Sequence, residues 1–258
     1  ADTVGSWDTP AKEEPTWVSR WRGGWQLCAP STGEADPHSV EPAFHGAASQ
    51  ASWKVVSSDS LSATLEWHDA QGVFSITRKW MLEPPNRVRV ETAMKNLSRE
   101  SQRYGVAEHL ILGSDFLEPC RRGLAAELDF SATARAIELD YSGLPTGQVF
   151  EDVSKDALWT TCATDQPARV FALSNLERQK ISVTVANRSV DIEWDGLSHA
   201  LVWQEFGTSV EPPWNSQVFA LGIEPTSTAH GAGLQAPDAP LIAHGEEIKW
   251  QTSLTFQD

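Results

Sequence analysis

From Trp53 onward the chain falls into short runs in which apolar and polar residues alternate. Ala63, Leu65 and Trp67 alternate with Thr64, Glu66 and His68. After the turn Asp69-Ala70-Gln71-Gly72, the residues Phe74, Ile76, Arg78 and Trp80 share one phase; beyond Glu83-Pro84-Pro85-Asn86, so do Val88, Val90, Thr92 and Met94. A period of two predicts antiparallel strands with one buried face, joined here as a meander. The rhythm returns with Ile181, Val183 and Val185, then Val190, Ile192 and Trp194. Residues 201–206 and 218–223 are apolar runs of strand length, and Ile248, Trp250, Thr252, Leu254 and Phe256 close the chain in phase. Helical spacing is scarce: residues 125–140 suit a turn or two of helix or an irregular connection. Residues 1–22 are rich in Pro, Trp and charge without either period, and read as an irregular surface segment. No unit of 20–50 residues recurs, which disfavours propellers and solenoids. The pattern predicts an all-β protein, one large antiparallel β-sandwich domain over residues 1–258 with a dozen or more strands.

Composition narrows the functions. Hydrophobic residues make up 40% of the 258, enough for a buried core. No stretch approaches the ~18 uncharged apolar residues of a membrane helix, so no membrane partner is expected. A formal charge of −15 and a pI near 4.8 provide no basic footprint for nucleic acid. The three cysteines, Cys28, Cys120 and Cys162, lack CxxC spacing. That count argues against a disulfide framework and a zinc site, and favours a reducing compartment, the cytoplasm. The chain starts at Ala1 with no apolar leader before it, as if its beginning had been removed or not included. Twelve Trp stand against two Tyr, and indole faces suit both cores and stacking on sugar rings.

No Gly-rich phosphate loop, HExxH, GxSxG or EF-hand spacing is present, so no cofactor or metal is implied. What remains is three ionisable residues in apolar settings: His45 after Pro42-Ala43-Phe44, His109 before Leu110-Ile111-Leu112, and Glu224 after Ala220-Leu221-Gly222-Ile223. A lone His in such a run is usually a hydrogen-bonded core residue, whereas a buried carboxylate needs a partner or a shifted pKa and so marks sites more often. The other five histidines sit in polar or loop contexts that suit a surface. Two histidines and a glutamate suit concerted proton donation and acceptance on a neutral substrate, with the partners exchanging roles for the reverse step. An isomerisation has that symmetry. A non-catalytic carbohydrate-binding or regulatory domain is the rival reading, and an enolisation or lyase step on an unusual sugar is a third.

Arg22-Gly23-Gly24-Trp25-Gln26-Leu27, Phe44-His45-Gly46, Glu108-His109, Leu201-Val202-Trp203-Gln204-Glu205, Leu221-Gly222-Ile223-Glu224-Pro225 and His244-Gly245-Glu246 resemble, in this order, the landmarks of the aldose 1-epimerase (galactose mutarotase-like) family, closest to its short bacterial branch. The resemblance implies a β-supersandwich with a monosaccharide on its concave face. It makes Glu224 the base at the anomeric hydroxyl, His109 the acid at the ring oxygen and His45 a residue that holds that oxygen in place. The same motifs nominate Arg22, Trp25, Gln26, Trp203 and Glu205 as substrate-binding residues, with Trp203 or Trp25 as an apolar wall and Trp214 at the rim. Asp152 is the candidate for the family's additional binding aspartate. Two departures stand out. Gly46-Ala47-Ala48-Ser49-Gln50 replaces the segment where many members carry an Arg, and only 22 residues precede Gly23, as if leading strands were missing. A sandwich shortened in that way exposes an edge, which allows a homodimer.

Overall fold

In the computed structural model, the described residues are 9–21, 23–130, 133–151, 153, 160–161, 166–229, 233–236 and 238–257. Two antiparallel sheets carry the chain. The seven-stranded sheet runs, in spatial order, β1 (Gly24–Cys28), β7 (Ala107–Leu112), β16 (Phe219–Thr226), β15 (His199–Phe206), β12 (Arg169–Ser174), β9 (Arg135–Leu139) and β10 (Pro145–Phe150). The nine-stranded sheet runs β11 (Thr160–Thr161), β8 (Ala126–Phe130), β13 (Lys180–Val185), β14 (Arg188–Asp195), β18 (Glu247–Gln257), β5 (Arg87–Asn96), β4 (Phe74–Glu83), β3 (Ser62–His68) and β2 (Lys54–Ser58). A two-stranded ribbon pairs β17 (Leu241–Ile242) with β6 (Gln102–Arg103).

The alternation sets which side chains are buried. Ile181, Val183, Val185, Val190 and Ile192 lose all exposure, and the polar residues between them keep some. These faces meet the inner face of the seven-stranded sheet, where Leu110, Leu221 and Ile223 join the same core. A polar tie crosses that interior. Glu108 on β7 is fully buried and accepts hydrogen bonds from Arg78 Nη2 on β4 and Trp250 Nε1 on β18, each at 2.6 Å. Arg78 keeps the strand phase with Phe74 and Ile76, so its charge is buried and needs this carboxylate.

β7 and β16 do not alternate, because every residue in both is buried. Strands covered on both faces lose the two-residue signal. Their outer face is covered by a short helix, α1 (Glu14–Arg20), and by residues 29–50. The irregular surface segment expected over residues 1–22 therefore contains a helix, and Trp17 within it is only 4% exposed. Pro15 and Glu14 in its first turn and Arg20 in its last suit a helix, but seven residues are too few for an apolar period to register. Residues 125–140 hold strands β8 and β9 instead of a helix, since Ala126 and Leu128 are buried while Glu127 and Asp129 point outward. A second helix, α2 (Glu118–Arg121), includes Cys120, which is disulfide-bonded, while Cys28 is free and buried. The cysteine count argued against a disulfide, and at Cys120 that expectation is not met. No helix among the described residues is long and apolar enough to cross a membrane.

Candidate functional site

The site lies on the outer face of the seven-stranded sheet, where three neighbouring strands each contribute a side chain. Gln26 on β1 pairs with His109 on β7, so both project to this face, whereas Leu27 and Glu108 project to the core. On β16, Glu224 pairs with Leu201 and Gly222 with Trp203 of β15. His109 Nε2 stands 4.0 Å from Glu224 Oε1. Among the described residues, no hydrogen bond reaches the Glu224 carboxyl, although the residue is only 8% exposed. Gly222 makes room for it: a Cβ there would lie 2.7 Å from Glu224 Oε1 and 3.1 Å from Trp203 Cβ.

His45 arrives from a loop. Its backbone is left-handed (φ 57°), fixed by its own N–H on the Gly33 carbonyl (2.7 Å) and by the flanking bond from Phe44 N–H to the Ala11 carbonyl (2.9 Å). Gly46 follows at φ 74°, and a Cβ there would strike the Ala29 carbonyl oxygen at 2.3 Å, so only glycine fits. The turn sets the His45 ring 5.0 Å from that of His109.

α1 roofs the pair. Trp17 lies edge-on to His45 (4.7 Å) and His109 (5.6 Å), and Trp21 is 6.2 Å from His109 and 6.3 Å from Trp203. Trp203 packs against Trp214 at 5.7 Å. Tyr141 donates from its hydroxyl to Glu14 Oε1 (2.6 Å), joining α1 to the turn after β9. A cavity of about 150 Å³ results, bounded by indoles, the two histidines and Glu224.

Desolvation in this cavity acts on both partners. It raises the Glu224 carboxyl to about 8 and lowers the His109 imidazole to about 4. His45 is pushed well down by burial and by the neighbouring His109. Burial therefore favours the uncharged form of each partner, a protonated Glu224 carboxyl beside a neutral His109 imidazole.

The sequence candidates divide. His45, His109, Glu224 and Trp203 line one cavity, with Trp214 at its wall. Trp25 does not: it projects between the sheets, donates to Glu108 Oε2 (2.6 Å) and packs on Trp80 (5.0 Å). Glu205 is buried outside the cavity, where it accepts from Thr208 N–H (2.8 Å) and the Ser209 hydroxyl and so anchors the loop after β15. Gln26 shares the face of His109 but is not part of the cavity wall. Arg22 and Asp152 lie outside the described residues. The sequence reading missed Trp17, Trp21, Glu14 and Tyr141. One signal was available, since Trp17 and Trp21 are four apart and therefore share a face of any helix. Among the described residues no group of His, Cys, Asp or Glu is arranged to hold a metal ion.

No protein-family model matches the chain, and no curated protein does. Solved structures match along almost its whole length. The chain has a galactose mutarotase-like fold. A galactose mutarotase-like protein from Clostridium acetobutylicum superposes with a TM-score of 0.66 at 14% identity, over 91% of this chain and 79% of that one. A galactose mutarotase related enzyme from Lactobacillus acidophilus gives 0.62 at 17%, over 91% and 83%. Galactose 1-epimerase from Lactobacillus acidophilus NCFM gives 0.59 at 13%, over 91% and 77%. Identities this low speak for the fold alone, so the chemistry must be argued from the cavity.

Proposed function

We propose that this chain is an aldose 1-epimerase, interconverting the anomers of a monosaccharide by acid–base ring opening. The observation that carries the reading is the Glu224–His109 pair, buried and 4.0 Å apart on the floor of an aromatic cavity. Ring opening needs one group to take the anomeric hydroxyl proton and another to give a proton to the ring oxygen; closing the ring needs the reverse. Either member serves either step, provided that together they hold one proton. The resemblance makes Glu224 the acceptor and His109 the donor, which requires the resting proton to pass from Glu224 to His109 once the sugar's hydroxyls replace the missing solvation. His45, beside His109, is the ligand for the ring or a neighbouring hydroxyl. Rotation about the first carbon–carbon bond and reclosure complete the turnover.

The non-catalytic rival has one observation in its favour, the Trp17 ring covering both histidines. Anomer exchange followed by proton NMR on a panel of aldoses separates the two. An enzyme speeds exchange of at least one sugar far above the buffer rate, and Glu224→Gln abolishes the acceleration; equal rates with and without the protein leave the binding domain as the better account.

A further inference from the structure

The mouth of the cavity has a charge pattern that the acid–base chemistry does not require. Glu14, Glu34 and Asp140 line it together with the floor carboxyl Glu224, and among the described residues no Lys or Arg does. Among the described residues, two neighbouring cations are engaged elsewhere: Arg20 donates to the Thr9 carbonyl, and Arg169 is ion-paired with Glu138 at 2.8 Å and lies over Phe171. The aromatic rings of Trp21, Trp203, Trp214 and Tyr141 also line it, among aliphatic and hydroxyl side chains. Deep within, Glu224 has no hydrogen bond among the described residues and is nine-tenths buried, so a ligand group is needed to satisfy it.

We propose that the cavity selects its sugar by charge, taking a protonated amino sugar ahead of the neutral parent and excluding sugar phosphates and uronates. The inference rests on the epimerase reading for what happens to the ligand, but not for which ligand binds. A phosphoryl or carboxylate group in this space meets three carboxylates at the mouth and, among the described residues, no lining cation to offset its lost hydration. The chain's overall charge of −15 adds to that repulsion. An ammonium group gains twice, from the carboxylates and from the indole faces, which are the best aromatic partners for a cation. Glu34 and Asp140 are exposed and set this preference by long-range attraction, while Glu14 is held against Tyr141 at 2.6 Å.

The test uses glucosamine below the pKa of its amine, N-acetylglucosamine, glucose and glucose 6-phosphate at low salt. Binding is read by quenching of the clustered indoles and turnover by NMR anomer exchange. The expected order is glucosamine, then glucose and the acetylated sugar, then the phosphate, with steps of about tenfold. Added salt and the double variant Glu34→Gln/Asp140→Asn should compress the steps toward equality, since Asn keeps the oxygen that accepts the Ser142 and Leu144 N–H groups. Glucose 6-phosphate binding as tightly as glucose, glucosamine binding no better than its acetylated form, or no quenching by any of them overturns the proposal. The predicted binding order without turnover removes the epimerase reading and leaves the charge rule standing; turnover with the reverse order does the opposite.

Discussion

Glu224 and His109 titrate in opposite directions, and the signs can be followed into stability as well as rate. The Glu224 carboxyl is raised from 4.5 to about 8, so the stability it contributes is complete below 4.5 and is lost as pH rises through about 8. His109 is lowered from 6.5 to about 4, so its contribution is present above 6.5 and is lost as pH falls through about 4. Between 4.5 and 6.5 the two slopes oppose each other. A melting temperature measured against pH should have a flat top there and decline on both sides, and Glu224→Gln should remove the alkaline decline while leaving the acid one. The rate should be bell-shaped, with the alkaline limb near 8 where the pair loses its proton and the acid limb near 4 where it gains a second; these limbs belong to the pair as a unit. Glu224→Gln should lower anomer exchange by about 10²–10⁴-fold with a much smaller change in sugar affinity. A substitution that adds no charge should also matter: Gly222→Ala puts a Cβ 2.7 Å from Glu224 Oε1 and 3.1 Å from Trp203 Cβ, and should slow turnover while lowering the melting temperature modestly, since the carboxyl can swing aside but the Trp203 Cβ on β15 can yield little. At this scale the sequence was informative where a residue's chemistry conflicts with its surroundings, as at His109 and Glu224. It was not informative about which face Trp25 takes. That depends on the pairing of β1 with β7, which sets Trp25 opposite Leu110, and a one-residue change of register would reverse it.

Among the elements, strands with one solvated face were legible and the elements over the site were not. β4, β5, β13 and β14 announce themselves by alternation, while β7 and β16 hide because α1 and the 29–50 segment cover their second face. α1 is too short to carry a period and depends on tertiary contacts. Gln50 clamps its approach, with Oε1 accepting from Ala11 N–H (2.7 Å) and Nε2 donating to the carbonyls of Ala11 and Phe44 (3.0 Å each). Trp17→Ala removes a buried indole and should destabilise the fold by about 3–5 kcal/mol if α1 stays docked, or by less if it detaches. In denaturant titrations, a loss at the low end accompanied by a change in sugar affinity would show that α1 had come away.

For the whole molecule, the two sheets are tied by the Glu108 carboxylate with Arg78, Trp25 and Trp250 around it. Removing one partner strands a buried charge, so Glu108→Leu or Arg78→Met alone should cost about 3–5 kcal/mol. The double substitution should cost far less than the sum, and a double-mutant cycle measured by denaturant unfolding reads the difference. A double substitution that costs the sum of the two singles would mean that Glu108 and Arg78 act independently. Thiol counting bears on the compartment: with Cys120 in a disulfide, one of the three cysteines should titrate in denaturant without reductant and all three after reduction. The seven-stranded sheet begins at β1, which has a neighbour on one side only among the described residues.

The bond from Phe44 N–H to the Ala11 carbonyl, and the Gln50 clamp beside it, divide the site between parts of the fold with different lifetimes. The backbone of Glu224 lies in the middle of a sheet, paired with β15 on one side and lying beside β7 on the other, whereas the Phe44 amide is protected by Ala11, just ahead of a short helix that forms only against its neighbours. Hydrogen exchange should therefore record two clocks. The Phe44 amide should exchange through local opening of the 11–21 segment, with a free energy that responds to Trp17→Ala, while amides of β16 should wait for global unfolding. A sugar that binds beneath α1 should slow both clocks by the factor that its affinity and concentration dictate, since neither the opened segment nor the unfolded chain holds it, while Trp17→Ala should shift the gap between them.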